Sequence, residues 1–198
     1  FPDANMMIAG TKFYESPQTV HHIPTIVNET IVKVENIDCL QAAEKLLTEG
    51  YHPAVLNMAS RRNPGGGVVT GAGAQEENLF RRSNLFQSLY QFAPFAGEYG
   101  LRKSNNQYPL DRNFGGIYTP DAVVFRGTEK DGYPLLDTPY QMSFIAVAGI
   151  NRPTLESPER ISSDLVEPVK NKIRTIFRIG LLHGHDSLVL GALGCGAF

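Results

Sequence analysis

Two kinds of residue that can do chemistry lie close together in this 198-residue chain: a run of bare glycines and a pair of adjacent carboxylates. Residues 65–67 are three successive glycines, and after seven further residues the chain reads Gln75-Glu76-Glu77. Glycines carry no side chain, so their backbone amides can approach a phosphate closely. Two neighbouring glutamates in different surroundings can divide their roles, one staying ionised while the other holds a proton. The pattern predicts an anion-binding loop beside a general acid.

The glutamate pair is expected to lie in the first turn of a helix that begins near Gln75. The positive end of the helix dipole favours ionised carboxylates there. A catalytic acid at this position therefore needs its pKa raised again, by burial or by the neighbouring carboxylate. Without its context the pair Glu76-Glu77 would be an ordinary charged helix start. The glycine loop and Gln75 are what favour a functional role.

The pattern of apolar residues predicts strands that alternate with helices. Period-two alternation and short β-branched runs predict five strands, over residues 30–37, 54–59, 122–126, 142–148 and 187–190. Apolar residues at helical spacing predict three helices, over residues 38–49, 76–92 and 158–182. Pro168 is expected to kink or divide the last of these. Residues 62–73 are too glycine-rich for regular structure, and residues 93–120 are expected to form a long ordered excursion. The alternation predicts an α/β fold, with helices on both faces of a mixed sheet, in a single domain spanning residues 1–198.

A second glycine loop, at residues 191–196, follows the strand predicted at 187–190. In open α/β sheets, ligands bind at the carboxyl ends of strands, where glycine loops let the backbone approach phosphate. Because both glycine loops follow strands, the simplest prediction is that they line one ligand-binding crevice together.

Composition and charge exclude several classes of function. The net charge of −2 argues against a protein that binds nucleic acid by neutralising phosphates, so no direct DNA binding is expected. No apolar run approaches the ~18 residues of a membrane span. Cys39 and Cys195 lie far apart, which argues against a disulfide scaffold or a zinc site and predicts a reducing compartment. His183, His185 and Asp186 imitate a metal cluster, but a solvated loop is the favoured interpretation, and no metal site is predicted.

Five segments of the chain together resemble the bacterial-type and fungal branch of the poly(ADP-ribose) glycohydrolase family. They are VLNMAS at 55–60, NPGGG at 63–67, GAQEENLFRRS at 73–83, YTPDAVVFRG at 118–127 and VLGALGCGAF at 189–198. The resemblance covers nearly the whole chain, and its GGG-x7-QEE signature is fairly specific. It implies a three-layer α/β/α macrodomain-like fold. It also implies an enzyme that hydrolyses ribose–ribose bonds in poly(ADP-ribose) and releases ADP-ribose, without a metal or organic cofactor.

The resemblance also implies roles for individual residues. Glu77 would protonate the leaving ribose oxygen and then activate water, and Glu76 would hold ribose hydroxyls. Asp38 would contact the adenine amino group, and Asn63 the ribose. Phe198 would pack on the terminal ribose. The remaining substrate-binding residues, most of them in the two glycine loops that cradle the diphosphate, would be Gly65, Gly66, Gly67, Gln75, Gly194, Cys195, Gly196 and Ala197.

Further expectations concern partners, location and rival functions. The partners would be poly(ADP-ribose), ADP-ribose and ADP-ribosylated proteins, the enzyme would be a monomer, and it would act in the cytoplasm, or in the nucleus of a eukaryote. Chains of the family normally continue past GCGAF, so a C-terminal truncation at Phe198 is also expected.

The alternative functions are a non-catalytic ADP-ribose-binding macrodomain, a hydrolase of mono-ADP-ribosyl links on proteins, and a Rossmann dehydrogenase. The last is disfavoured because Glu76 stands where the third glycine of GxGxxG belongs.

Overall fold

The computed structural model describes residues 4–21 and 29–195. Its helices are α1 (Ala4–Gly10), α2 (Cys39–Thr48), α3 (Gln75–Arg82), α4 (Leu85–Tyr90) and α5 (Ser163–Leu182). Its strands are β1 (Lys12–Tyr14), β2 (Pro53–Met58), β3 (Gly116–Arg126), β4 (Leu135–Val147), β5 (Leu155–Ser157), β6 (Arg160–Ile161) and β7 (Ser187–Val189). Within these ranges, no helix is long and apolar enough to cross a membrane.

Five strands form one mixed sheet in the order β1-β3-β4-β2-β7. Strand β2 runs parallel to both β4 and β7, whereas β3 is antiparallel to β4 and to β1. Helices α1 to α4 bury their apolar side chains against one face of the sheet, and α5 buries Ile176 and Ile179 against the other. The predicted three-layer α/β/α arrangement is confirmed. The carboxyl ends of β2, β4 and β7 lie at one edge, where a ligand site is expected.

Helix α2 agrees with the helix predicted over residues 38–49 to within one residue at each end. The Asp38 carboxylate accepts hydrogen bonds from Leu40 N (3.0 Å) and Gln41 N (3.1 Å), which satisfies two of the N–H groups left free at a helix start. Gly50 follows the helix with a φ of +89°, a conformation that side chains other than glycine rarely adopt.

The single helix predicted over residues 76–92 is wrong, because the chain breaks between α3 and α4. Ser83 is extended and forms a bridge with Val124 of β3. Asn84 N donates to Val123 O (3.1 Å), and its side-chain oxygen accepts from Val123 N (2.8 Å). Pairing with the neighbouring strand therefore replaces the helical hydrogen bonds that local spacing favours.

The strand predicted over residues 30–37 is also wrong. This segment pairs with none of the described strands, and Val32 and Val34 are 84% and 97% exposed. Alternation of apolar residues gives a strand only where a neighbour supplies backbone partners. The predicted helix over 158–182 begins only at Ser163, since residues 155–161 form the β5–β6 hairpin, and Pro168 does not divide it. Helix α1 and strand β1 were not predicted.

Candidate active site

Gln75 fixes the start of α3 to the carboxyl end of β2. Its side-chain oxygen accepts a hydrogen bond from Met58 N (2.9 Å), and its amide nitrogen donates to Leu56 O (2.7 Å). The same nitrogen lies 3.8 Å from the Cys39 sulfur. Both ends of the Gln75 amide thus have backbone partners on β2, and the two glutamates that follow are set at the carboxyl edge of the sheet.

Glu76 is buried and accepts N–H donors on both carboxylate oxygens. Oε1 accepts from Gly65 N (3.1 Å) and Asn57 Nδ2 (3.4 Å), and Oε2 accepts from Ser60 N (2.7 Å). Burial raises the pKa of Glu76 to about 7. The three N–H donors act in the opposite direction, and the charge of Glu77 adds to the increase in pKa. Glu76 therefore exchanges a proton near neutral pH.

Glu77 is 7% exposed and faces the glycine loop. Its Oε1 accepts a hydrogen bond from Gly67 N at 2.8 Å. Its Oε2 is buried and has no hydrogen-bond partner among the described residues. Of the four carboxylate oxygens of the pair, Glu77 Oε2 is thus the one that the surrounding chain leaves unpaired, and it can take part in chemistry without breaking a hydrogen bond.

The glycine loop is shaped by the glutamates that it surrounds. Gly65 and Gly66 have φ values of +77° and +56°, in the left-handed region that favours glycine. A Cβ atom on Gly66 would collide with Glu77 Oε1. Gly65 N and Gly67 N donate to the two glutamates, and Gly66 N donates to Asn63 O (2.9 Å). These amides have partners within the chain, and their binding of a diphosphate stays a prediction.

The second glycine loop leaves β7 at the same edge as the first leaves β2, because these strands are adjacent and parallel. A Cβ on Gly191 would lie 3.1 Å from the Met58 side chain, so the bases of the two loops are in contact. Gly194 has a φ of +85° and packs against Gly149, and Cys195 is exposed. The shared crevice predicted for the two loops is consistent with this geometry. The predicted substrate residues Gly196, Ala197 and Phe198 lie outside the described residues.

Asp38 and Asn63 have different surroundings. The second oxygen of the Asp38 carboxylate pairs with Arg82 Nη1 at 2.8 Å, so this side chain caps α2 and ties it to the end of α3. Arg82 is buried and was not singled out in the sequence. Asn63 is exposed at the rim of the glycine loop, where its backbone N–H donates to Ser60 Oγ (3.2 Å). Contacts of Asp38 with adenine and of Asn63 with ribose stay predictions.

The residues that sequence reasoning missed are Asn57 and Ser60, which hold Glu76. Both lie in the VLNMAS segment, where Asn57 is a polar residue inside an otherwise apolar strand. A buried amide in such a strand needs a partner, which is the signal that could have identified it. Asn57 is fully buried, and its Oδ1 is unpaired among the described residues.

The solvated loop predicted for His183 and His185 is wrong. The rings of His183 and Tyr118 are stacked, with their centroids 3.5 Å apart. His183 Nε2 also shares a hydrogen bond of 2.8 Å with Tyr14 OH. His185 is buried and its Nε2 lies 3.0 Å from Tyr118 OH. The aromatic residues of β1 and β3 cover these imidazoles, which a local loop pattern does not reveal. In the part of the chain that the structure describes, no group of three or more His, Cys, Asp and Glu residues could hold a metal ion.

A three-layer α/β/α sheet that places a glycine loop against two buried carboxylates defines a macrodomain-like protein with an acid–base site. Residues 2–127 match the family model of the microbial-type PARG (poly(ADP-ribose) glycohydrolase) catalytic domain. The chain therefore belongs to the microbial-type poly(ADP-ribose) glycohydrolase family, and the resemblance found in its sequence is confirmed. Among curated protein sequences, none matches the chain.

The chain is also similar to solved structures of bacterial poly(ADP-ribose) glycohydrolases. The chain is similar to poly(ADP-ribose) glycohydrolase from Thermomonospora curvata, with 30% identity and a TM-score of 0.77, over 98% of this chain and 69% of that one. The same enzyme bound to the inhibitor ADP-HPD gives 31% identity and a TM-score of 0.73, over 98% and 68%. The enzyme from Deinococcus radiodurans in complex with ADP-ribose gives 25% identity and a TM-score of 0.71, over 100% and 78%.

Proposed function

We propose that this domain hydrolyses the ribose–ribose bonds of poly(ADP-ribose), with Glu77 as the general acid and base. Membership of the glycohydrolase family carries the activity. The complexes of similar enzymes with ADP-ribose and with ADP-HPD support a substrate built from ADP-ribose units. The roles of individual residues rest on the geometry of this chain.

The observation that carries the mechanism is the unpaired oxygen of Glu77. The acid must donate its hydrogen to the leaving ribose oxygen, so an oxygen that already accepts an N–H group is poorly placed for this transfer. Glu76 accepts N–H groups on both oxygens and Glu77 on Oε1, which leaves Glu77 Oε2.

The reaction follows from this placement. Glu77 Oε2 transfers its proton to the ribose oxygen of the leaving group as the glycosidic bond breaks, and the electron pair of that bond goes to the same oxygen. The carboxylate that remains takes a proton from water as the water oxygen attacks the oxocarbenium-like carbon. Adjacent residues on one helical turn cannot flank the scissile bond, so one residue serves as acid and then as base. Such proton transfer contributes roughly 10²- to 10⁴-fold.

In the proposed mechanism, the other predicted residues bind the substrate around Glu77. Glu76, with its N–H partners fixed, holds ribose hydroxyls, while Gln75 positions α3 through its bonds to β2. The loops after β2 and β7 receive the diphosphate. ADP-ribosylated proteins are proposed as carriers of the polymer and the enzyme as a monomer. Cys39 and Cys195 are both free thiols, which supports the proposal of an intracellular, reducing compartment.

Incubation with purified poly(ADP-ribose), followed by chromatography for free ADP-ribose, tests the function. We expect product with the wild type and a rate at least ~10²-fold lower with Glu77→Gln, which keeps the shape of the side chain but removes the acid. Glu98→Gln, on an exposed turn, makes the same change in charge away from the site and should be unaffected. A Glu77→Gln variant that degrades polymer at the wild-type rate would rule out the mechanism. A reader domain would bind ADP-ribose and give no product.

A further inference from the structure

Lys172 is a buried cation that the proposed mechanism does not use. It lies on α5, is 3% exposed, and its Nζ has no hydrogen-bond partner among the described residues. The charged groups that face it are the carboxylate of Asp111 and the guanidinium groups of Arg61 and Arg112. One carboxylate and two guanidinium groups thus act on the charge of Lys172. Burial lowers the pKa of Lys172 to about 8, so the amine is still mostly protonated at neutral pH.

This cluster is attached to the loop that holds the catalytic pair. Arg61 directly follows Ser60, whose N–H binds Glu76. The backbone oxygen of Arg61 accepts from Leu110 N (2.8 Å), and Arg61 Nη1 donates to Leu110 O (3.1 Å). The segment that carries Asp111 and Arg112 is thereby joined to the carboxyl end of β2.

The cluster contrasts with the rest of the chain, which carries a net charge of −2. In the sequence Arg61, Arg112 and Lys172 are far apart, but all three lie near the carboxyl edge of the sheet. Arg61 follows the end of β2, and Arg112 precedes the start of β3, which lies opposite the end of β4. Lys172 lies one helical turn before Thr175, which packs on Gly116 at the start of β3. Arg112 is exposed and Arg61 is half-buried, so both can meet a ligand from solvent. The charge of Lys172 is buried in a low-dielectric environment, where it is screened less than a surface charge. An excess of positive charge at a substrate edge fits a phosphate-bearing ligand.

We infer that Arg61 and Arg112, supported by Lys172, form a second phosphate subsite for the diphosphate of the polymer unit next to the one that is released. This inference rests on the proposed function, because it needs a substrate longer than one ADP-ribose. Every unit of the polymer carries a diphosphate, so a chain held in the crevice presents its next pair of charges to the surface beside it. The subsite would strengthen binding of polymer but not of free ADP-ribose.

The test compares Arg112→Gln with Arg102→Gln, a matched loss of charge at another exposed position. We measure KM and kcat on free polymer over a series of salt concentrations, and the Kd of ADP-ribose by calorimetry. For Arg112→Gln we expect KM to rise by about three- to tenfold and the slope of log KM against log salt to fall by about 1. The kcat and the Kd of ADP-ribose should stay at their wild-type values. Lys172→Met should raise KM in the same direction, and Lys172→Arg should restore it.

Several outcomes would overturn the inference. One is a KM and a salt slope for Arg112→Gln that equal those of Arg102→Gln. Another is an equal loss of ADP-ribose affinity, which would place the cluster in the product site. An effect seen only with protein-attached polymer would indicate an acidic protein partner instead. If the wild type does not degrade polymer, the proposed function fails separately. The subsite is then judged by direct polymer binding, where an unchanged Kd in Arg112→Gln rejects it.

Discussion

The carboxylate of Glu77 and the backbone amide of Gly67 are joined by a hydrogen bond of 2.8 Å. This bond orients one oxygen of the acid and leaves the other without a partner among the described residues. The glycine loop therefore has a role before any substrate arrives, since it fixes the rotation of the carboxyl group on α3. The bare glycines that were predicted to receive phosphate also make room for the acid.

Gly66→Ala should remove activity by displacing Glu77. A Cβ at this position would collide with Glu77 Oε1, and the φ of +56° is unfavourable for alanine. The strain should cost about 1–3 kcal/mol of stability, and the rate should fall by at least ~10²-fold because a small misplacement of a catalytic group is costly. Gly71→Ala is the matched control, with a φ of +85° and open space around its Cβ. Thermal unfolding should show destabilisation in both variants, larger in Gly66→Ala because of the collision, and polymer assays should show a loss of rate in Gly66→Ala alone. Equal rates in the two variants would contradict the prediction.

Gln75→Ala should lower both stability and activity, although this side chain is not at the reacting atoms. The substitution leaves Met58 N and Leu56 O without their side-chain partners, at a cost of about 1–3 kcal/mol. Freed from β2, the first turn of α3 should hold the glutamates less firmly, so kcat should fall more than the affinity for ADP-ribose. Urea unfolding, polymer kinetics and calorimetry test this, with exposed Gln41→Ala as the control. If ADP-ribose affinity is lost while kcat is retained, Gln75 binds substrate directly.

The sequence predicts the parts of the site that depend on local pattern. The spacing of apolar residues identified β2 and α2, and the glycine run with Gln75-Glu76-Glu77 placed a loop against a helix start. Contacts across the fold were not predictable in this way. The helix break at Ser83 depends on pairing with β3. The strand predicted over residues 30–37 does not form, because no strand of the sheet in the described part of the chain lies beside it to supply backbone hydrogen bonds. The basic cluster around Lys172 joins residues from three distant parts of the chain, at positions 61, 112 and 172, a separation that no local pattern encodes.

The rate of polymer hydrolysis should fall as pH rises through about 7. Burial raises the pKa of Glu76 to about 7, and above this pH Glu76 becomes an anion that can accept hydrogen bonds from ribose hydroxyls but no longer donate to them. A profile of kcat/KM between pH 5 and pH 9 measures this alkaline limb. A rate that stays constant to pH 9 would show that ionisation of Glu76 does not affect the reaction.

The same raised pKa predicts how stability depends on pH. The folded state keeps a proton on Glu76 between the ordinary pKa of about 4.5 and the raised value of about 7, whereas the unfolded state has lost it. The contribution of this group therefore favours folding at low pH and is lost as pH rises through 7, by at most ~3 kcal/mol. Glu76→Gln cannot ionise, so the difference in unfolding free energy between wild type and variant should change across this window. A difference that is constant from pH 4.5 to pH 8 would contradict the raised pKa.

His183 should act in the opposite direction and limit stability in acid. Burial lowers its pKa from 6.5 to about 4, with His185 and Lys12 adding to the decrease. Below pH 6.5 the unfolded chain takes up a proton on this imidazole while the folded chain does not, so stability falls as pH drops from 6.5 towards 4. His183→Phe keeps an aromatic ring to stack on Tyr118 but does not titrate, and it should flatten this part of the curve of unfolding free energy against pH.

Tyr14→Phe is the matched control, because it removes the hydrogen bond to His183 and leaves the imidazole in place. Tyr14→Phe should lower the free energy of unfolding but keep its decrease between pH 6.5 and pH 4. If the unfolding free energy of His183→Phe decreases with falling pH as steeply as that of the wild type, another group causes the acid sensitivity.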